Sequence, residues 1–184
     1  MAERDDKELL VQFRDEKTRD SAFSLIIKKY QQRVYWHIRK MVIDHDDADD
    51  VTQNTFVKVW RNLDNFREDS QLYTWIYRIA TNECLTFLKQ KRQRDMVSFD
   101  DLEFKLADSL EADPLFTGDM IQKRLQKAIL TLPEKQRLVF NMKYFDALKY
   151  EEMSEILGTS VGALKASYHH AVNKVEAFLK AENL

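Results

Sequence analysis

The chain has 184 residues, 44% of them hydrophobic, which is enough apolar surface for one ordinary domain or two small helical ones. Three glycines and two prolines are too few turn residues for an all-β fold, no apolar run approaches the roughly 18 residues of a membrane span, and the single Cys84 cannot form an internal disulfide. The net charge of −2 conceals a partition: residues 1–94 sum to +2, residues 95–119 to −7 and residues 120–184 to +3, so the acidic average does not exclude a nucleic-acid partner. The opening Met1-Ala2-Glu3-Arg4-Asp5-Asp6 lacks the basic-then-apolar pattern of a signal peptide, and with the other absences it points to the cytoplasm.

The first predicted helix covers 6–16, with Leu9, Leu10 and Phe13 apolar. A longer one runs from Ser21 to Val42, where Phe23, Ile26, Ile27, Tyr30, Val34, Ile38 and Met41 recur at helical spacing. Asp46 to Asp50 open a third helix, their charge complementing its dipole. Ala48, Val51, Thr55, Val59 and Trp60 face inward there, and Asp46, Asp50, Asn54 and Lys58 form an outward stripe. After a loop at 64–69, Ser70 is the expected cap of a helix reaching Gln93 through Ile76, Ile79 and Leu85. Residues 95–119 break the pattern. Acids alternate with Val97, Phe99, Leu102, Phe104, Leu106, Leu110, Leu115 and Phe116, which predicts a linker that becomes ordered in a partner groove. Helices follow at 120–131, at 134–145 with Pro133 at its start, at 150–157 and at 161–180.

The segment from Tyr150 to Lys165 reads as a helix-turn-helix. Met153, Ile156 and Leu157 turn inward, Gly158 tolerates positive φ at the corner, Ser160 caps the next helix, and Val161 and Leu164 pack back. The outward face then carries Ser160, Gly162, Ala163, Lys165, Ala166, His169 and His170. Small residues near a helix start permit close approach to a major groove, and Lys165 and the histidines can donate to phosphate or base edges. An αα-hairpin without DNA fits the same spacing.

Three runs resemble a known family. Asp46 to Trp60, DDADDVTQNTFVKVW, looks like the polymerase-binding helix of sigma factors; Thr74 to Lys89, TWIYRIATNECLTFLK, resembles their promoter −10 helix; and Leu132 to Phe140, LPEKQRLVF, with Tyr150 to Ser167, resembles their −35-binding domain. In this order, with a linker between, they identify the chain as similar to the extracytoplasmic-function (ECF) group of the sigma-70 family. The resemblance implies an all-α fold of two small domains, a clamp and −10 domain at 1–94 and a helix-turn-helix four-helix domain at 120–184, joined by the acidic linker 95–119. It implies a transcription initiation factor whose partners are core RNA polymerase, through the β′ clamp and the β flap, promoter DNA, and an anti-sigma factor. No membrane insertion, cofactor, metal or small-molecule substrate is expected.

Residue by residue, the resemblance places Asp46, Asp49, Asp50, Gln53 and Asn54 on the polymerase-binding helix, where an acidic stripe suits a basic partner surface. Asn54 stands where the family usually has an acid. For the −10 element, bound as a single strand with a flipped base, the implied contacts are Phe66, Tyr73, Trp75, Arg78, Asn82, Lys89 and Arg92: aromatic faces for stacking, an amide for a base edge, cations for phosphates. Tyr77, Lys91 and Arg94 offer further rings and charge. Either Trp75 or Tyr77 belongs to the core, since these adjacent odd positions cannot all face DNA. Trp75-Ile76 replaces the Trp-Trp pair of housekeeping relatives, which fits weaker melting power. Lys165, His169 and His170 depart from the arginine and aromatic residues frequent in the family, and Glu68 and Asp69 lie near the DNA path, so neither promoter element is legible. The linker would imitate RNA in the polymerase channel.

No catalytic set emerges: His37, His45, His169 and His170 fall on separate elements, and the aspartates beside His45 point around a helix and not to one centre. A dimeric repressor reading duplex DNA without polymerase, or a protein-interaction module, would use the same helix-turn-helix. Neither gives the aromatic-basic helix and the acidic linker a purpose.

Overall fold

The computed structural model describes residues 5–95, 106–110 and 120–181. Residues 96–105 and 111–119, and with them the expected linker anchors Val97, Phe99, Leu102, Phe104, Leu115 and Phe116, lie outside the described residues. The helices are α1 (Asp6–Arg14), α2 (Arg19–Val42), α3 (His45–Asn62), α4 (Leu72–Arg94), α5 (Met120–Leu130), α6 (Glu134–Tyr144), α7 (Tyr150–Leu157) and α8 (Val161–Ala181). A 3-10 turn at Leu63–Asn65 follows α3, residues 106–110 are helical, and no strand occurs among the described residues.

In the N-terminal half, α1 to α4 share one core. The apolar series read from α2 is buried at Ile26, Tyr30, Val34, Ile38 and Met41, and it meets Leu9, Leu10 and Phe13 of α1, Val51, Phe56 and Val59 of α3, and Ile76, Cys84 and Leu88 of α4. Asp44 caps α3, its carboxylate accepting from the Asp47 backbone N–H at 3.0 Å. Trp60 packs edge-on against Phe13 and Phe23 at 5.3 and 4.9 Å. Ion pairs Lys58–Glu83 and Lys91–Asp47 tie α3 to α4. The expected cap of α4 is corrected: the N-cap is Gln71, without a side-chain bond, and Ser70 lies outside the helix.

In the C-terminal half, α5, α6 and α8 enclose a second core of Ala128, Ile129, Leu132, Phe140, Ala171 and Val175. The corner between α7 and α8 forms as expected. Gly158 has φ 62, and Ser160 Oγ accepts from the Ala163 N–H at 3.3 Å. Met153, Ile156 and Leu164 are buried, while Leu157 and Val161 are half-buried.

The halves are packed together. Leu138, Val139, Met142, Leu148, Met153 and Ile156 of the C-terminal half belong to the same buried cluster as α2 and α4. Leu106 and Leu110 of the linker are buried between Ile43, at the end of α2, and Leu130, at the end of α5. For these linker residues the partner groove is the chain's own.

Candidate polymerase and nucleic-acid surfaces

Three surfaces follow from this packing. On α3, burial of Ala48, Val51, Thr55, Phe56 and Val59 turns Asp46, Asp49, Asp50, Gln53 and Asn54 to solvent, all five exposed. Beside this stripe, between α2 and α3, runs a groove of about 770 Å³ with Phe23, Ile27, Phe56, Val57 and Trp60 along it and Asp20, Asp49, Asp50 and Gln53 on its rim. Val57 is 40% exposed. The sequence reading found the rim and missed the floor. Phe23 and Ile27 belong to the apolar series of α2, and nothing in their spacing says that the neighbouring helix leaves them only partly covered.

The second surface is α4 and the loop before it. Arg78, Asn82 and Lys89 are exposed, Trp75 is half-buried, and the spacing 75, 78, 82, 89 puts them along one face. Arg92 is half-buried one turn on. Trp75 and Phe66, whose rings lie 5.2 Å apart, line a cavity of about 370 Å³ with Asn65, Arg67, Asp69, Ser70 and Arg78. That cavity combines an aromatic wall with polar and charged edges. Phe66 and Tyr73, expected as open stacking faces, are corrected: both are buried, at 5% and 9% exposure. Tyr73 packs edge-on against Tyr77 at 5.1 Å with the Arg33 guanidinium 5.0 Å from its ring. Burial and the nearby Glu152 push its hydroxyl up to about 12. Tyr77, at 1% exposure, is the core aromatic of the pair with Trp75. Part of this covering comes from α7: Arg78 donates to the Glu155 carbonyl at 2.6 Å, and Glu155 also lines the cavity.

The third surface is the start of α8. Ser160, Gly162, Ala163, Lys165, Ala166, His169 and His170 are all exposed, because Leu164, Ala171 and Val175 take the opposite face into the core. A Cβ added at Gly162 would meet nothing within 4 Å. The Lys165 ammonium sits 5.7 Å from the Tyr150 ring, which leans it toward the first helix of the motif, and His169 Nε2 is 3.2 Å from Asn173 Nδ2. Small residues come first along this exposed face and possible donors lie behind them, the order a recognition helix would need.

Among the described residues, no group of three or more His, Cys, Asp or Glu side chains is placed to hold a metal ion, and no helix is long and apolar enough to cross a membrane.

Residues 26–94 match the family model described as Sigma-70 region 2, and residues 122–175 match Sigma-70, region 4. The RNA polymerase sigma-H factor of Pseudomonas aeruginosa is 32% identical over 167 residues, covering 86% of this chain and 86% of that one. The ECF RNA polymerase sigma-E factor of Escherichia coli is 30% identical over 192 aligned positions, covering 98% of this chain and 100% of that one. Among solved structures, CnrH in complex with the cytosolic domain of CnrY has a TM-score of 0.70 at 23% identity, over 96% of this chain and 97% of that one. The sigma factor RpoE of Bartonella quintana, in complex with the anti-sigma factor NepR, has a TM-score of 0.68 at 20% identity, over 86% and 96%. These last two likenesses are of fold.

Proposed function

This chain belongs to the sigma-70 family of RNA polymerase sigma factors, in its ECF group, and from that premise we propose how its surfaces divide the work. It is an alternative sigma factor: it binds core RNA polymerase and directs it to promoters through −10 and −35 elements. The observation that carries this is the presence of both sigma modules in one chain, in order, spanning the full length of a sigma-E factor.

The division at the residue level is our own reading. The stripe Asp46, Asp49, Asp50, Gln53 and Asn54 meets a basic surface of the β′ clamp, and the groove floor of Phe23, Phe56 and Val57 adds the apolar part of that contact. Charges on a rim steer and orient, while burial in the groove sets the off-rate. Trp75, Arg78, Asn82, Lys89 and Arg92 hold the −10 strand, and the Phe66–Trp75 cavity takes an unstacked base. Ser160, Gly162, Ala163, Lys165, Ala166, His169 and His170 read the −35 duplex, with the C-terminal domain touching the β flap. The working domains are 1–94 and 120–184, with 95–119 as the tether. The protein is a cytoplasmic binding factor that catalyses no reaction of its own. An anti-sigma factor restrains it, a reading supported by the two structural neighbours, each a complex and one with a named anti-sigma factor.

The test is run-off transcription with core polymerase on fragmented source DNA, with start sites mapped. Discrete starts appear only with this protein. Asn82→Ala removes them, and Lys165→Ala with His170→Ala removes those that depend on an upstream −35 sequence. No protein-dependent start, with tight binding to duplex sites in the absence of polymerase, would instead establish a stand-alone repressor.

A further inference from the structure

We propose that a cavity between α2, α4 and the loop after α6 is a binding site for a small planar anion, by its chemistry a nucleoside monophosphate. The cavity measures about 420 Å³, within the range of small-ligand sites. One face of α2 supplies most of its wall. Gln32, Trp36 and Lys40 recur at four-residue spacing with Arg33 beside them, and all four line the cavity, while Val34, Ile38 and Met41 of the same helix are buried in the core. Tyr77 of α4 and, after α6, Phe145 and Asp146 complete the lining. Trp36 is the residue that folding does not explain. It falls outside the apolar series of α2 and is 38% exposed. The Tyr35 ring meets it edge-on at 5.4 Å, which steadies the indole and still leaves it open. An open indole is a stacking surface for a flat ring.

The polar groups around it suit an anion. The Arg33 guanidinium belongs to an exposed residue, lies 5.0 Å from the Tyr73 ring and offers a two-pronged donor to phosphate oxygens. Lys40 gives one N–H to the Asp146 carboxylate at 2.6 Å, and an ammonium has two more to give. Its Nζ also lies 4.9 Å from the centre of the Phe145 ring, so a cation and a ring stand side by side on this wall as well. Asp146 is answered within the protein, its oxygens taken by Lys40 and by His37 at 2.9 Å, with 5% of its side chain exposed. Two cations against one carboxylate leave one net positive charge in the lining. A single phosphate matches that charge, whereas the further phosphates of a triphosphate have nothing there to meet. Gln32 is exposed and carries both a donor and an acceptor, the pair that reads the edge of a heterocycle. Ring, edge and phosphate together define the ligand class. The site shares no residue with the surfaces assigned above to the clamp, the −10 strand and the −35 duplex. A nucleotide can therefore occupy it whether or not the chain acts with polymerase.

The experiment titrates the full chain, its tryptophans replaced by fluorotryptophan, with adenosine monophosphate and guanosine monophosphate under fluorine NMR. The chain has three tryptophans, and Trp36→Phe identifies the resonance of Trp36 by its loss. At least one monophosphate is expected to shift that resonance with a Kd tighter than about 1 mM. Adenosine, guanosine and inorganic phosphate each carry part of the ligand and should bind about tenfold or more weakly. Calorimetry then compares variants at two exposed positions, after circular dichroism has confirmed unchanged melting. Trp36→Ala and Arg33→Gln should each lose about tenfold or more in affinity, and Trp36→Phe, which keeps a ring, should recover most of it. A short single-stranded oligonucleotide run in parallel separates a nucleotide carried in a strand from a free one. No shift with either monophosphate, a shift of the Trp75 resonance in place of Trp36, undiminished affinity in Trp36→Ala, or a response to the strand alone would overturn the proposal. Transcription with core polymerase tests the sigma reading separately.

Discussion

The Asp146 carboxylate and the His37 imidazole, 109 positions apart in the chain, meet at 2.9 Å where the two halves join. Burial raises the Asp146 carboxyl, but the hydrogen bond and charge of His37 and the ammonium of Lys40 outweigh it and hold the group below the ordinary carboxylate range. Tyr77, its ring tilted by 36° and 4.8 Å from that of His37, and Arg33, beside Tyr73, also lie at the junction.

A group depressed on folding stabilises the fold above its unfolded value of about 3.9 and loses that contribution as pH falls through its lower folded value. Asp146→Asn removes this share. Urea midpoints of wild type and variant should differ at neutral pH by an amount equivalent to about 1–3 kcal/mol. They should converge in acid, below the ordinary carboxylate range. A gap that is constant from pH 7 to pH 3 would show that the charge of Asp146 contributes nothing.

Cys84 is 1% exposed on α4, and burial pushes its thiol up to about 12. At pH 8 the thiolate is scarce and shielded, so alkylation should proceed only through unfolding. Iodoacetamide labelling followed by mass spectrometry should track the unfolding rate as urea rises. Complete labelling of the native protein within seconds would contradict this placement.

Val57 lies in the groove between α2 and α3 and is 40% exposed, so a charge there leaves the core intact. Val57→Glu should weaken binding to core polymerase by about tenfold, the cost of stranding a carboxylate in an apolar contact. Its melting temperature should match wild type within about a degree, as for other exposed sites. Unchanged affinity would confine the polymerase contact to the acidic rim.

Gly158 has φ 62, and a Cβ built on it meets nothing within 4 Å. Gly158→Ala therefore tests the backbone alone, with an expected loss of about 1 kcal/mol in urea denaturation. A loss several times larger would mean that the turn itself rearranges.

Periodicity made much of this legible. The inward series on α2 and α3 and the outward face of α8 each follow from spacing along a single helix. Accordingly all seven recognition residues and all five residues of the α3 stripe are exposed. Ser70 was misplaced as a cap because it matches the preferred residue type, whereas Gln71 starts the helix without any side-chain bond. Phe56 of α3 lies outside the inward series read from the sequence, yet it is buried, at 7% exposure, beside the groove between α2 and α3.

The sequence by itself determined the helical class, the two modules and their order, the acidic tether and the residue types available to each surface, since these depend on patterns read along one element. Tertiary structure alone decided which of those residues are available. Phe66 and Tyr73 carry the right rings for DNA and are covered, Tyr77 belongs to the core while Trp75 lines a cavity, and His37 finds its partner in Asp146. The reason is physical: exposure and pairing at the junction depend on how two separately patterned bodies meet, and a tether of this kind lets them meet without leaving any periodic trace in either.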